Sequence, residues 1–315
     1  MNSHHYPLSV GSHPALPLST AQRGVWVAQR IDPSNPRYNC AGYLEIVGAI
    51  DTDLLQQAIV LALQETEALR VRFVEEQGEP WQIIDPHSPQ PLTVVDLSEQ
   101  PDAQQTALSW MKRDLGTAQD LVHSQLHLHA LFKLGPEHSF FYLRYHHILM
   151  DGYGQTLYWR RIGEIYSALS AQQQYPLSSA HPLSVILADE AEYEASARHE
   201  DDRQAWLDKL LQPPAALQLS DNVALSNRGM RRLSAPLPKP LEIALQARAK
   251  STGTGWSVLI ITAIAIYTGI ALALGTRGQG SGCRGTDHPE PGARSTSRGT
   301  PSGAESVLFL GRCCR

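Results

Sequence analysis

The chain has 315 residues, 42% of them apolar, and a net charge of -5, which allows two ordinary domains or one large one and argues against nucleic acid or an anionic membrane as the main partner. It holds four cysteines, and only Cys40 lies before residue 280, so no disulfide framework is expected and a reducing cytoplasm is the expected compartment. The opening MNSHHYPLSVGSHPALPLS lacks the basic and apolar regions of a secretory signal, and none is expected.

In chain order, LPLSTAQRGVWVAQRIDP predicts a short helix, capped by Ser19 or Thr20 and closed by Asp32-Pro33. YNCAGYLEIVG reads as a strand. DTDLLQQAIVLALQETEALRVRF reads as a helix capped by Asp51 or Thr52, with Leu54, Leu55, Ala58, Ile59, Ala62 and Leu63 as its buried stripe. LRVRFVEEQGEPWQIID alternates about Gln77-Gly78 as a hairpin does. PDAQQTALSWMKRDLG carries proline at the start of a helix and glycine at its end. SQLHLHALFKLGPEHSFFYLRYHHILMDG gives two strands about a Gly135-Pro136 turn. The helix of GQTLYWRRIGEIYSALS follows, with Tyr158, Ile162, Ile165 and Leu169 on one face. This mixed order predicts an α+β fold or layered sandwich.

Residues 171–190, with Pro176, Ser178, Ser179 and Pro182, read as a connector, and AEYEASARHEDDRQAWLDKLLQ as a charged helix after it. WSVLIITAIAIYTGIALALG, residues 256–275, holds no charge over 20 positions and is long enough to span a bilayer. Its Thr, Gly and Tyr content and the lack of any other span favour a buried helix of a second lobe. Composition breaks near residue 276: the last 40 residues hold eight Gly, six Arg, no Lys and three of the four cysteines. Their net charge of +3 leaves -8 on residues 1–275. Two readings of that tail stand: a disordered Gly/Ser/Arg-rich segment, or out-of-frame translation of a GC-rich gene.

The chemistry concentrates in FFYLRYHHILMDGYGQ, where His146 and His147 end an apolar strand. A metal site is disfavoured: His127 and His129 share a strand face nearby, but adjacent histidines point to opposite faces and no Cys, Glu or third His stands at ligand spacing. A pair of satisfied core histidines is the plain alternative. A general base at a strand end is the third reading, because the chain there turns on Gly152 into a helix whose first N–H groups can face one reacting carbonyl. One histidine would then face the cavity and one the sheet, while Asp151 anchors the turn through an arginine. No G-x-S-x-G elbow occurs and Cys40 has no evident histidine partner, so direct transfer between two bound substrates is expected.

HHILMDG, His146 to Gly152, resembles the HHxxxDG motif of the condensation domains of nonribosomal peptide synthetases, whose relatives include chloramphenicol acetyltransferase. LSTAQRGVW (Leu18 to Trp26) resembles the family's first signature, SxAQxxxW, and ETEALRVRF (Glu65 to Phe73) its second, RHExLRTxF. In the second, Glu65 and Thr66 replace the usual Arg-His, while Glu67, Leu69, Arg70 and Phe73 are kept. Tyr153-Gly154 replaces the commoner aromatic-Ser, and the two histidines argue against the heterocyclising subclass.

The resemblance implies a chloramphenicol acetyltransferase-like sandwich, with the first lobe complete and the second truncated. Residues 1–15 would be an extension, 16–175 the first lobe, 176–275 a linker and the start of the second lobe, and 276–315 the tail. It also implies amide bond formation between a donor acyl or aminoacyl thioester and an aminoacyl acceptor. His147 would be the base or positioning group, Gly152 an oxyanion donor, and Asp151 the loop anchor, buried and paired with Arg70, with His146 in support. On this resemblance no cofactor or metal would be bound directly. Phosphopantetheine arms would arrive on upstream and downstream peptidyl carrier proteins, without nucleic acid or membrane. The alternatives are an O- or N-acyltransferase of the same superfamily, with an acyl-CoA or acyl-carrier donor, and a catalytically dead fragment.

Overall fold

A computed structural model describes residues 9–10, 13–86, 92–211 and 235–275. Strands β1 (Ser9–Val10) and β2 (His13–Pro14) form a minimal antiparallel pair, and β3 (Leu16–Pro17) leads into α1 (Thr20–Ile31). Ser19 caps α1 by accepting from Gln22 N, and the Gln22 side chain answers by accepting from Ser19 N at 2.9 Å. This reciprocal box satisfies two of the helix's orphan donors. Strand β4 (Asn39–Val47) precedes α2 (Thr52–Glu65), which Asp51 caps through Asp53 N and Leu54 N. Leu55, Ala58, Ile59, Ala62 and Leu63 bury its stripe as expected, with Leu54 half-buried.

The predicted hairpin is β5 (Val71–Glu76) and β6 (Glu79–Ile84), with β3 on the outer edge of β6. Gln77 and Gly78 take φ of 55° and 84°, the paired left-handed conformation that a two-residue hairpin turn requires. Strand β7 (Thr93–Asp96), helix α3 (Ala103–Leu115) and strands β8 (His127–Gly135) and β9 (His138–His146) follow. The main sheet has the order β4-β9-β8-β7, antiparallel except for the parallel β7–β8 pair. Strand β7, absent from the sequence reading, reaches β8 through the crossover helix α3, as a parallel neighbour must.

Helices lie on both faces of this sheet. Cys40, Leu131, Phe141, Leu143 and Tyr145 join the core shared with α2 and α4 (Gly152–Ser170), while Ala130, Phe132, Phe140 and Tyr142 pack on α3. Strand β9 is covered on both faces and is buried from Ser139 to His146. Its run of FFYLRY is therefore the sequence of a central strand.

Residues 171–182 carry no regular element, but the connector then ends earlier than its composition suggests: α5 (Leu183–Glu194) begins immediately after Pro182. The single charged helix expected from residue 191 onward is instead the end of α5 and a separate α6 (Ala197–Leu210), broken at Ala195 and Ser196. The first compact unit extends to Ala205 and includes α5, which is tied to residues of the first 70.

The second unit begins at Trp206 and its described part contains α7 (Lys239–Thr252) and α8 (Trp256–Gly275). Gly253, at φ 64°, ends α7 in the left-handed conformation that favours glycine. The helix expected over 256–275 is present, but burial is not: Trp256, Val258, Ile261, Ile264, Ile266 and Tyr267 are exposed. A helix apolar on all sides needs neighbours all round, and α7 can cover only one side. Among the described residues no single helix is long and apolar enough to cross a membrane. Lys239–Thr252 with Trp256–Gly269, bent by 104°, reaches that length and composition only as a pair. The tail at 276–315 lies outside the described residues.

Candidate active site

The site is built where β9 ends. His146 N donates to Leu126 O and His147 N donates to Tyr38 O, both at 2.7 Å, so the strand's last pairings lock the histidine turn to its neighbours. Leu149 N closes the turn on His146 O at 3.0 Å. Alternation separates the two side chains. His146 is 1% exposed, its Nδ1 accepts from Ile148 N at 3.3 Å, and its Nε2 faces Gln29 Oε1 at 3.5 Å. An imidazole that accepts at Nδ1 and has lost its water stays neutral. Burial, with His147 and Arg144 adding to it, pushes its pKa down to about 3. Gln29 is itself held by donating to the carbonyls of Asp32, Pro33 and Asn35.

His147 is half-buried and lines a pocket of about 410 Å³ together with Ser19, Gln22, Gln82, Ile148 and Asp151. Apolar groups complete the wall: Val25, Leu149 and Met150 from one side, Leu183, Ile186 and Leu187 of α5 from the other. The sequence reading missed the polar part. Gln22 and Gln82 exchange two amide hydrogen bonds at 3.0 Å, Gln22 Nε2 also donates to Ile148 O at 3.4 Å, and Gln82 Nε2 donates to Pro17 O at 2.8 Å. Gln22 belongs to LSTAQRGVW, and Trp26 of the same stretch packs 5.9 Å from Phe73 of ETEALRVRF. The three quoted motifs are thus physical neighbours around one turn.

Asp151 caps α4. Its Oδ1 accepts from Gly154 N at 2.8 Å, its carbonyl accepts from Gln155 N at 3.0 Å, and the Tyr145 hydroxyl donates to that carbonyl at 3.3 Å. The expected buried pair between Asp151 and Arg70 is not formed. Asp151 is exposed, and Arg70 donates through Nη1 to Asp85 O at 3.3 Å. The reason is local: a carboxylate at a helix start already has backbone donors within reach, so it needs no distant cation. Gly152 is the first residue of α4, where N–H groups have no partner within the helix. It directly follows the pocket residue Asp151 but is not itself in the wall.

His127 and His129 are structural. His129 Nε2 and the Tyr158 hydroxyl are 3.0 Å apart, and the two imidazoles meet edge to face at 5.5 Å. Burial, with Arg144 adding to it and a Leu69 backbone hydrogen bond opposing, pushes the His127 pKa down to about 4. Burial and then His127 push His129 well below the ordinary range. Among the described residues no group of three His, Cys, Asp or Glu side chains is placed to hold a metal ion.

The Condensation domain family model matches residues 13–269. The chain belongs to this family. Its condensation domain is 40% identical over 221 residues to the dimodular nonribosomal peptide synthase of Bacillus subtilis (strain 168), covering 70% of this chain and 9% of that protein. It is 37% identical over 217 residues to the isonitrile lipopeptide synthase of Streptomyces coeruleorubidus, covering 69% of this chain and 15% of that one. Among solved structures, the first condensation domain of the CDA synthetase matches with a TM-score of 0.69 at 32% identity, over 81% of this chain and 61% of that chain. The starter condensation domain of the rhizomide synthetase RzmA matches with a TM-score of 0.60 at 33% identity, over 64% and 50%. The chain therefore spans a small part of the curated synthetases and about half to three-fifths of these solved condensation domains. The expected recognition and fold class hold: an α+β condensation-domain fold in the context of nonribosomal peptide synthesis.

Proposed function

We propose that this condensation domain joins a carrier-bound acyl or aminoacyl donor to a carrier-bound aminoacyl acceptor through an amide bond, with His147 as the group that acts on the acceptor amine. One observation carries the reading: of the adjacent histidines, His147 is the one in the wall of the described pocket, while His146 is buried in the fold. The amine nitrogen attacks the thioester carbonyl as the imidazole takes its proton. The C–N bond forms, the C–S bond breaks, and the proton passes to the leaving thiolate. The oxyanion would take a hydrogen bond from Gly152 N–H at the start of α4, where the helix dipole favours negative charge. Asp151, by capping that helix, fixes where those donors point. The apolar wall keeps water away from the thioester, which would otherwise hydrolyse.

Both substrates would arrive on phosphopantetheine arms of upstream and downstream carrier proteins. The arms belong to those partners and no residue here is needed to hold a cofactor of its own. We place residues 13–205 as the lobe that carries the histidine and the later residues as the opening of a second lobe. The chain spans about half to three-fifths of the solved condensation domains it resembles, so the test also supplies the remaining half of a related domain.

The test supplies two loaded carrier proteins to the chain, alone and mixed with that remaining half, and reads the dipeptidyl thioester by mass spectrometry. Wild type in the mixture yields amide product, and His147→Ala lowers the rate by about 10²–10⁴. Full product from the His147 variant, or product only with an alcohol acceptor, overturns the assignment; the second outcome would favour the acyltransferase alternative.

A further inference from the structure

Glu65 stands where the family's second signature carries arginine, and here it is engaged in a different task. Both its carboxylate oxygens accept from Arg161 on α4, from Nε at 2.6 Å and from Nη2 at 2.8 Å. The two side chains are only 21% and 12% exposed. A planar fork meeting a carboxylate in this way is directional as well as strong. The same Nη2 donates to Pro176 O at 2.7 Å, and the guanidinium lies 5.6 Å from the centre of the Tyr175 ring. Ser178 hydrogen-bonds to Glu65 as well; these donors, Arg161 above all, hold its carboxyl below the usual range. Four consecutive points on the connector's path, Tyr175, Pro176, Ser178 and Leu183, are thus gripped from this corner. The last is held by Glu67 Oε2, which accepts from Leu183 N at 2.8 Å.

Leu183 begins α5. Near the other end of that helix Glu190 Oε2 accepts from Thr20 N at 3.0 Å, at the start of α1. From the first fastening onward, Leu183, Ile186 and Leu187 line the pocket of His147. An exposed ion pair would contribute little here. This one is bidentate, shielded, and linked to the backbone it must hold.

We propose that Glu65 and Arg161 are positioning residues: their forked pair clasps the connector so that α5 stays in place as the apolar wall of the His147 pocket. An arginine at position 65 would face Arg161 with like charge and release the clasp. The signature's departure and the arginine on α4 therefore belong together. The assignment rests on the pocket's construction, not on what His147 does, so it stands or falls separately from the amide-forming reading.

The purified 315-residue chain serves for the test. Hydrogen–deuterium exchange is compared for wild type, Glu65→Ala, Glu65→Gln and Arg161→Lys, and carbethoxylation of His147 by diethyl pyrocarbonate is followed by peptide mass spectrometry. Glu65→Ala should speed exchange over 175–194 by about tenfold or more while β8 and β9 keep their protection, a local opening of the kind native proteins show. The His147 peptide should be modified several-fold faster. Glu65→Gln keeps part of the fork and should fall between. Arg161→Lys keeps the charge without the fork and should behave closer to Glu65→Ala. These two milder variants carry the comparison if Glu65→Ala fails to fold. Unchanged exchange in α5, or faster exchange spread equally through β8 and β9, overturns the proposal.

Discussion

Lowering the pH from 7 to 5 should remove a large share of this domain's stability, and the histidines that do no chemistry are the reason. His127, His129 and His146 are 4%, 1% and 1% exposed. Their pKa values are pushed to about 4, well below the ordinary range, and about 3, chiefly by burial. Unfolding returns each to about 6.5. The sign follows: a group neutral in the fold and protonated when released adds stability fully above pH 6.5 and loses it as pH falls toward the folded value. At pH 5 neither His127 nor His146 is substantially protonated in the fold, yet both are almost fully protonated in the unfolded chain, and His129 acts in the same direction. Linkage then removes about 2 kcal/mol for each of His127 and His146 between pH 7 and 5, or about 4 kcal/mol together, and His129 adds to the loss. That approaches the lower end of the stability of ordinary domains, about 5–15 kcal/mol. Urea unfolding followed at several pH values measures it, with an uptake of about two protons or more on unfolding near pH 5. Stability that stays level from pH 7 to 5, or imidazole resonances of these three residues titrating near 6.5 in the folded protein, would refute the reasoning.

Other outcomes follow from single contacts. Asp114 accepts from Arg144 Nε at 3.0 Å and from the Tyr142 hydroxyl at 2.8 Å, and the Arg144 side chain is 6% exposed. Asp114→Ala strands that guanidinium and should cost about 3–5 kcal/mol in urea melts; a loss below about 1 kcal/mol would contradict the burial argument. Asp151→Ala removes the cap of α4 and should cost about 1 kcal/mol, while Asp151→Asn, which keeps the accepting oxygen, should cost far less. Equal losses in the two variants would mean that the charge, not the cap, matters. Cys40, 3% exposed on β4, should resist thiol reagents in peptide mapping until the domain unfolds, and rapid labelling in the folded protein would count against the sheet's packing.

Much of this architecture could be read from the sequence because the signal was local. The stripe of α2, the left-handed Gln77-Gly78 turn and the alternation separating His146 from His147 each depend on residues a few positions apart. Strand β7 was missed because four residues, alternately half-buried and exposed, gain their identity only from β8, more than 30 positions on. The start of α5 was hidden by Pro182 and the serines before it, which read as linker although proline is well suited to precede a helix. The Asp151–Arg70 pairing failed for a related reason. The family resemblance pointed to Arg70 as the partner, whereas the helix start supplies Gly154 N three residues away. The polar floor of the pocket, Gln22 against Gln82, joins residues 60 apart, and the only trace of it in the sequence was that Gln22 lies inside a recognisable signature.

The pairing of β4 with β9 has a bearing on how the protein is made. Residue 47 leaves the ribosome about 100 residues ahead of residue 146, its sheet neighbourhood's far end. At ordinary translation rates β4 therefore waits about 5–20 s for its partner. The β8–β9 hairpin can zip at once, since its strands are joined by a tight turn, whereas docking β4 requires closing a long loop. The hydrogen bond from His147 N to Tyr38 O crosses that same late seam. The turn that presents His147 should therefore be among the last parts of the lobe to be fastened, and nascent chains halted before β9 emerges should bear β4 as an unmatched, adhesive edge in need of a chaperone.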